Sequence, residues 1–264
     1  MYFLNLQENQ SMINTGLSTL MNREIWRFLN LYKQTIFPSV ISSSLYIIVF
    51  GHSLGSRIGK IKGIDYMDFI IPGLVMMAVI NHAYQNSSSS IIQAKFLKFL
   101  DDILITPLSG FELAIGYIVG GALRGFINGI VVILLGFILT GFMIDDLFTT
   151  FILLLTVSWT FSAFGCVIGI IAKSWDEIAI FTNFVFMPLT FLGGVFYSIN
   201  DLPEIFRIIS LFNPLYWMIN GLRYATVGVS DSSHIASINI SIFCAFIFTY
   251  IASEMFKKGY RIKE

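Results

Sequence analysis

Three histidines, two cysteines and one glycine-rich run are the residues of this 264-residue chain whose types could do chemistry. His52, His82 and His234 are scattered, and no Cys/His pair has metal-ligand spacing. No nucleophile stands beside a base in a usable pattern, so an enzyme has no candidate centre. Cys166 and Cys244 lie in apolar runs and read as small packing residues. The run Gly55-Ser56-Arg57-Ile58-Gly59-Lys60-Ile61 imitates a phosphate-binding loop. Such a loop needs one more residue between its glycines, and a Ser or Thr after the lysine for magnesium. Ile61 stands at that position, so no nucleotide is hydrolysed by this route. No catalytic residue, metal or cofactor is expected.

The remaining polar chemistry sits inside apolar segments. Arg124 falls about 18 Å along a helix from Glu112, at 1.5 Å per residue, which places it near mid-membrane. A charge there needs a partner or water. Asn128 follows one turn later on the same face. Arg124 either lines a polar path or anchors a gating contact, or it pairs with a carboxylate or carbonyls to hold the fold. Upstream, an apolar run turns polar at Asn81, His82, Tyr84, Gln85, Asn86 and Ser87 to Ser90. These groups cannot face lipid cheaply. They face protein, a cavity or the exit to water. A lone histidine such as His82 is more often packed than ligating. Gly116/Gly120, Gly121/Gly125 and Gly125/Gly129 are each four apart and admit a close helix. That helix belongs either to a second, moving subunit or to the same chain.

Composition says what must position these groups. The chain is 56% hydrophobic and only 12% charged, with mean hydropathy +0.77. A soluble domain carries roughly twice that charged fraction, so a soluble enzyme is excluded. The net charge of 0 offers no field to nucleic acid. The expected fold is an all-α membrane protein with six transmembrane helices, at residues 35–54, 69–90, 112–140, 147–172, 177–197 and 235–256. Residues 1–16 form a tail without the pattern of a secretory signal. Residues 17–34 read as an amphipathic helix on the membrane surface, the other reading being the start of span 1. Leu17, Met21, Ile25, Phe28, Leu29 and Tyr32 make one stripe, and Arg23, Arg27, Asn30 and Gln34 the opposite one. Residues 35–264 are then one transmembrane domain.

Ser109…Glu112 and Ser174…Glu177 have capping-box spacing at the starts of spans 3 and 5. Residues 198–232 are too apolar for a free loop. Asp201 is expected to cap a helix with Pro203 in its first turn. Asn213-Pro214 breaks it, and a second short helix runs from Tyr216 to Thr226. Two half-helices dipping back into the membrane fit this pattern. Six spans put both termini on one side. That side holds Arg23, Arg27, Lys33, Lys95, Lys98, Lys173, Lys257, Lys258, Arg261 and Lys263. The other holds Arg57, Lys60, Lys62, Arg207 and Arg223. Ten cations against five favour cytoplasmic termini, although Arg57, Lys60 and Lys62 run against that bias. Residues 91–105, with Lys95, Lys98, Asp101 and Asp102, read as a cytoplasmic helix. It is either a partner's docking surface or a solvated loop.

Pro188 to Tyr197 (with Gly193-Gly194), Leu202-Pro203, Asn213-Pro214-Leu215 and Gly221-Leu-Arg223-Tyr224 together resemble the carboxy-terminal signature of ABC-2 type permeases. Phe69 to Leu74, Ala94-Lys95-Phe96, Leu104 to Pro107, Phe50-Gly51 and Gly55 to Gly59 look most like the YadH-like branch of that family. The likeness covers about residues 22–260. Ser198 departs from the proline of many members, which bears on the external turn. The resemblance implies the permease subunit of a bacterial ABC exporter in the inner membrane, with a re-entrant external hairpin. It also implies a second permease copy, a homodimer being favoured, and two ATP-binding cassette subunits. Its cargo would be an amphipathic molecule, and membrane lipid would surround it. Glu24, Arg27, Lys95, Lys98, Asp101 and Asp102 would then meet the ATPase. A proton-coupled secondary transporter is the rival. It would want intramembrane carboxylates, and the acids here cluster at span ends. A passive scaffold is the reading left if no ATP-binding partner exists.

Overall fold

The structure, a computed structural model, describes residues 2–259, without the side chains of residues 2–14, 52, 53 and 56. Arg261 and Lys263 of the charge count lie outside the described residues.

Helices dominate because the segments are apolar and must satisfy their backbone internally. The first helix, α1 (Tyr2–Asn30), starts well before residue 17 and absorbs the expected tail. A short helix, α2 (Tyr32–Thr35), leads into α3 (Phe37–Tyr46), which continues as a π-helix over Ile47–Leu54 and ends in α4 (Gly55–Ile58). The apparent phosphate loop is therefore a helix end. It opens into a two-stranded antiparallel hairpin, β1 (Lys60–Ile61) and β2 (Ile64–Asp65). Next come α5 (Tyr66–Phe96), the five-residue α6 (Leu100–Leu104), α7 (Gly110–Thr140) and α8 (Leu147–Ile171). The expected helix over 91–105 is thus split: α5 runs through Phe96, and Lys98 takes φ 58° at the break.

Among the described residues, five helical stretches are long and apolar enough to span a membrane: 32–51, 66–96, 110–140, 147–171 and 234–258. The stretch expected as span 5 is not among them. It is helical from 175 to 192 but built of α9 (Trp175–Ile180), a π-segment (Phe181–Phe186) and α10 (Met187–Leu192). Beyond it lie a 3-10 turn at Ile199–Asp201, then α11 (Glu204–Phe212), α12 (Pro214–Val227) and α13 (His234–Lys258). The two short helices of 198–232 are present. Pro203, not Asp201, is the residue before the first, and no side chain caps it.

Local chemistry explains the boundaries. Ser109 Oγ accepts from Glu112 N–H, and the Glu112 carboxylate accepts from Ser109 N–H at 2.7 Å, a complete capping box. At α9 only half of one forms. Ser174 accepts from Glu177 N–H, while Glu177 turns to the amide of Lys173.

α5 is the axis of the bundle, buried along nearly its whole length between α7 and α8. The glycines of α7 allow the approach. Gly116 and Gly120 face Leu20 and Glu24 of α1, and Gly121, Gly125 and Gly129 face Ser87, Ala83 and Val79 of α5. The stripe thus packs within the chain. From the end of α2 through α3 and its continuation the buried stripe is Thr35, Ser39, Ser43 and Ile47, while Phe37, Ile41, Leu45 and Ile48 point outward. Apolar outside and polar inside is the order a lipid solvent dictates.

α1 departs from the expected orientation. Trp26 and Leu29 face outward, and the buried line is Leu20, Glu24 and Phe28. Of the polar stripe, Asn30 and Gln34 are exposed. Arg23 and Arg27 turn toward α5 and α7.

Candidate transport site

Three polar assemblies stand along the bundle. The middle one surrounds Arg124, which sits next to the midpoint of α7 and is only 9% exposed. Its guanidinium lies 3.3 Å from His82 Nδ1 of α5, and His82 Nε2 lies 3.0 Å from Ser39 Oγ of α3. Arginine can only donate, so Nδ1 accepts and the histidine is the neutral Nε2–H tautomer, donating to Ser39. Asn81, His82, Gln85 and Arg124 line a cavity of about 440 Å³ against Ser39 and Ser42. Gln85 and Arg124 also line a second one of about 330 Å³, closed by Trp175, Ile178, Thr182 and Asn183 of the 175–192 stretch. Arg124 therefore stands between two cavities, one beside span 1 and one beside residues 175–183.

Asn81, Gln85 and Arg124 line the same cavity, but Asn128 does not join them. Its amide donates to Arg124 O at 2.9 Å, one turn back, and its oxygen is buried without a hydrogen bond. Among the described residues Arg124 forms no ion pair, and its side-chain contact is His82 rather than a carboxylate. Ser39, Thr182 and Asn183 had not been singled out. The four-residue spacing of Ser39 and Ser43 in an apolar run was the available signal.

The second assembly lies toward the end that carries α1 and α6. Glu24 is wholly buried, 2.7 Å from Arg23 and 3.4 Å from Arg27, and Ser90 donates to it at 2.8 Å. Arg27 donates to Asn86 O at 2.6 Å, and Arg23 lies over the rings of Phe99 and Tyr117. Glu24 thus staples α1 to the bundle and offers no side chain to the outside. Lys95 is likewise engaged, donating to Ile170 O and Ala172 O at the end of α8. Lys98, Asp101 and Asp102 are exposed, beside exposed Phe96, Leu97 and Ile105.

The third assembly closes the opposite end. Arg223 of α12 is fully buried, with its guanidinium 3.9 Å from the centre of the Phe69 ring and donating to Gly194 O at 2.5 Å. Asp231 lies 4.0 Å from Arg223 and 2.5 Å from Lys62 Nζ of the hairpin, and it accepts from Ser198 Oγ at 2.6 Å. Burial alone would raise this carboxyl. The bonds from Lys62 and Ser198 and the two cations overcome it and hold Asp231 below the usual carboxylate range. Pro188 starts α10, Gly193 packs on Ile219, and Gly194 takes φ 76°. Asn213 caps α12 ahead of Pro214 and donates to Leu189 O. Nothing local in the sequence links Lys62 to Asp231, residues so far apart.

A helical bundle with lipid-type outer faces and polar side chains inside is a multi-pass membrane protein. Residues 15–227 match the ABC-2 type transporter family, and the chain belongs to that family. It is 36% identical to the Inner membrane transport permease YadH of Escherichia coli (strain K12), over 92% of this chain and 95% of that protein. It is 23% identical to Nodulation protein J of Rhizobium leguminosarum bv. viciae, over 81% and 82% of the two chains. The protein is a multi-pass permease of a bacterial inner membrane, and membership implies an ATP-binding cassette partner.

Proposed function

We propose that this chain is the transmembrane subunit of an ATP-driven exporter, working as a dimer with two separate ATP-binding subunits. The termini lie in the cytoplasm, the 175–192 stretch completes six spans, and α11–α12 form the re-entrant external hairpin. The single observation that carries the reading is the surface at residues 96–105. Phe96, Leu97 and Ile105 stand exposed beside Lys98, Asp101 and Asp102, a mixed apolar and charged patch suited to a protein partner. It caps α5, the helix that also carries Asn81, His82 and Gln85. A push on this end would therefore be felt at the cavity. Glu24 and Lys95 then transmit movement between helices, and Arg27 links α1 to α5.

The proton-coupled alternative gains no support from the cavity, where the ionised group is Arg124 and no carboxylate pairs with it. The test is to co-express the chain with an ATP-binding partner encoded beside it. Purification through a tag on this chain should yield equal subunit numbers and vanadate-sensitive hydrolysis in lipid. The pair Asp101→Lys and Asp102→Lys should leave basal hydrolysis intact and abolish its coupling to transport. Full coupling in that variant would remove the docking role, and failure of any ATP-binding protein to co-purify would overturn the exporter reading.

A further inference from the structure

We infer that the cavity around Arg124 binds the anionic head group, carboxylate or phosphate monoester, of an amphipathic molecule. The arginine stays protonated, and a lone charge at mid-membrane demands a counter-charge or water. Neither neighbouring side chain supplies one. His82 is neutral in the tautomer its two contacts require, and Ser39 is a hydroxyl. Arg124 Nε is buried and makes no hydrogen bond, so a donor stays unused where burial makes that costly. The guanidinium fork suits two oxygens of one anion. Asn81 and Gln85 add amide donors on the same wall, and Leu74 and Met77 offer an apolar surface for a chain. Ser89 on the second cavity accepts from Arg27 at 3.4 Å, so a further cation stands near that mouth. Arg27 shares the Glu24 carboxylate with Arg23, whereas Arg124 has no carboxylate within ion-pair distance among the described residues.

Transport of such a molecule rests on the exporter reading; binding does not. The experiment uses the purified permease with its ATP-binding partner in phosphatidylcholine nanodiscs, with radiolabelled octyl phosphate as probe and scintillation proximity as readout. Saturable binding is expected, with competition by octanoate and at least about tenfold weaker competition by octyltrimethylammonium. Arg124→Gln should weaken binding at least about tenfold, and Arg124→Lys, which keeps the charge but not the fork, should restore only part of it. Gln85→Glu, which adds a carboxylate with Arg124 intact, should weaken it comparably and covers the case in which Arg124→Gln fails to fold. Discs containing phosphatidylglycerol identify the source. Displacement of the probe assigns the site to a bilayer lipid head, and undiminished binding assigns it to an exported amphiphile; both support the anion site. Equal competition by the ammonium probe, or probe affinity unchanged by Gln85→Glu, would overturn it. Binding without any effect on ATP hydrolysis would count against the exporter reading and leave the site standing.

Discussion

Asp231 shows how one side chain carries a long-range connection. It joins the hairpin through Lys62, the 198–201 turn through Ser198, and α12 through Arg223. Its carboxyl is depressed in the folded protein. Its stabilising contribution is therefore complete above the unfolded carboxylate value, about 3.9. It is lost as pH falls through the lower folded value. The thermal midpoint of the wild type should hold steady from pH 7 to 5 and drop below about pH 4. Asp231→Asn should be less stable at pH 7, by on the order of 3 kcal/mol, and should lose part of that acid sensitivity. Ser198 tests the same junction more gently. Its φ of −78° suits a proline, so Ser198→Pro should keep the turn and remove one hydrogen bond to Asp231. The expected loss is about 1 kcal/mol, with the acid transition moved to higher pH. A thermal midpoint unchanged across pH 3–7 would reject the role of this carboxylate.

Between elements, the deciding term is how closely helices approach. A Cβ at Gly125 would lie 2.7 Å from Ala83 Cβ and 3.0 Å from Val79 O. Alanine gains up to about 1 kcal/mol over glycine in helix propensity, but overpacking costs about 1–3 kcal/mol. Backbone on the far side cannot give way, so the second term wins. Gly125→Ala should lower the thermal midpoint in neutral detergent; an increase would show that α5 and α7 can separate freely. Glu24 holds α1 in another way, by satisfying two arginines and a serine at once. Glu24→Gln should loosen α1 from α5, whose Ser90 donates to the carboxylate. Hydrogen exchange over residues 20–28 should rise several-fold while α8 stays protected. Uniform exchange in both helices would mean that the Glu24–Ser90 contact does not tether α1.

At the scale of the whole molecule, the outer faces are lipid-adapted. Phe37, Ile41, Leu134, Ile138, Phe243 and Phe246 all point outward, and a patch of this kind on a soluble protein would be an aggregation hazard. Opposed to that skin, the polar groups lie inside, stacked as three assemblies along α5 and its neighbours. A dimer with two ATP-binding subunits should appear as a 2:2 complex by mass measurement in nanodiscs. A stable 1:1 particle with full transport would reject the dimer.

Hydropathy and helix-start chemistry act within a few residues, so the sequence by itself determined the membrane class, the apolar helices, the cap at Ser109–Glu112 and the family. It also marked Arg124 and the polar half of α5 as unusual, since a charge in an apolar run is visible without coordinates. Other facts depend on helix rotation and on partners distant in sequence. Only the tertiary structure decided that Arg23 and Arg27 of α1 turn inward, that His82 bridges Arg124 and Ser39, and that Glu24 and Lys95 are occupied within the chain. It also decided that Lys62 closes on Asp231 and that the 175–192 stretch breaks into three segments. A periodic pattern tells which residues share a face. Which face meets which neighbour is set by packing, where glycines permit approach and buried polar groups demand partners.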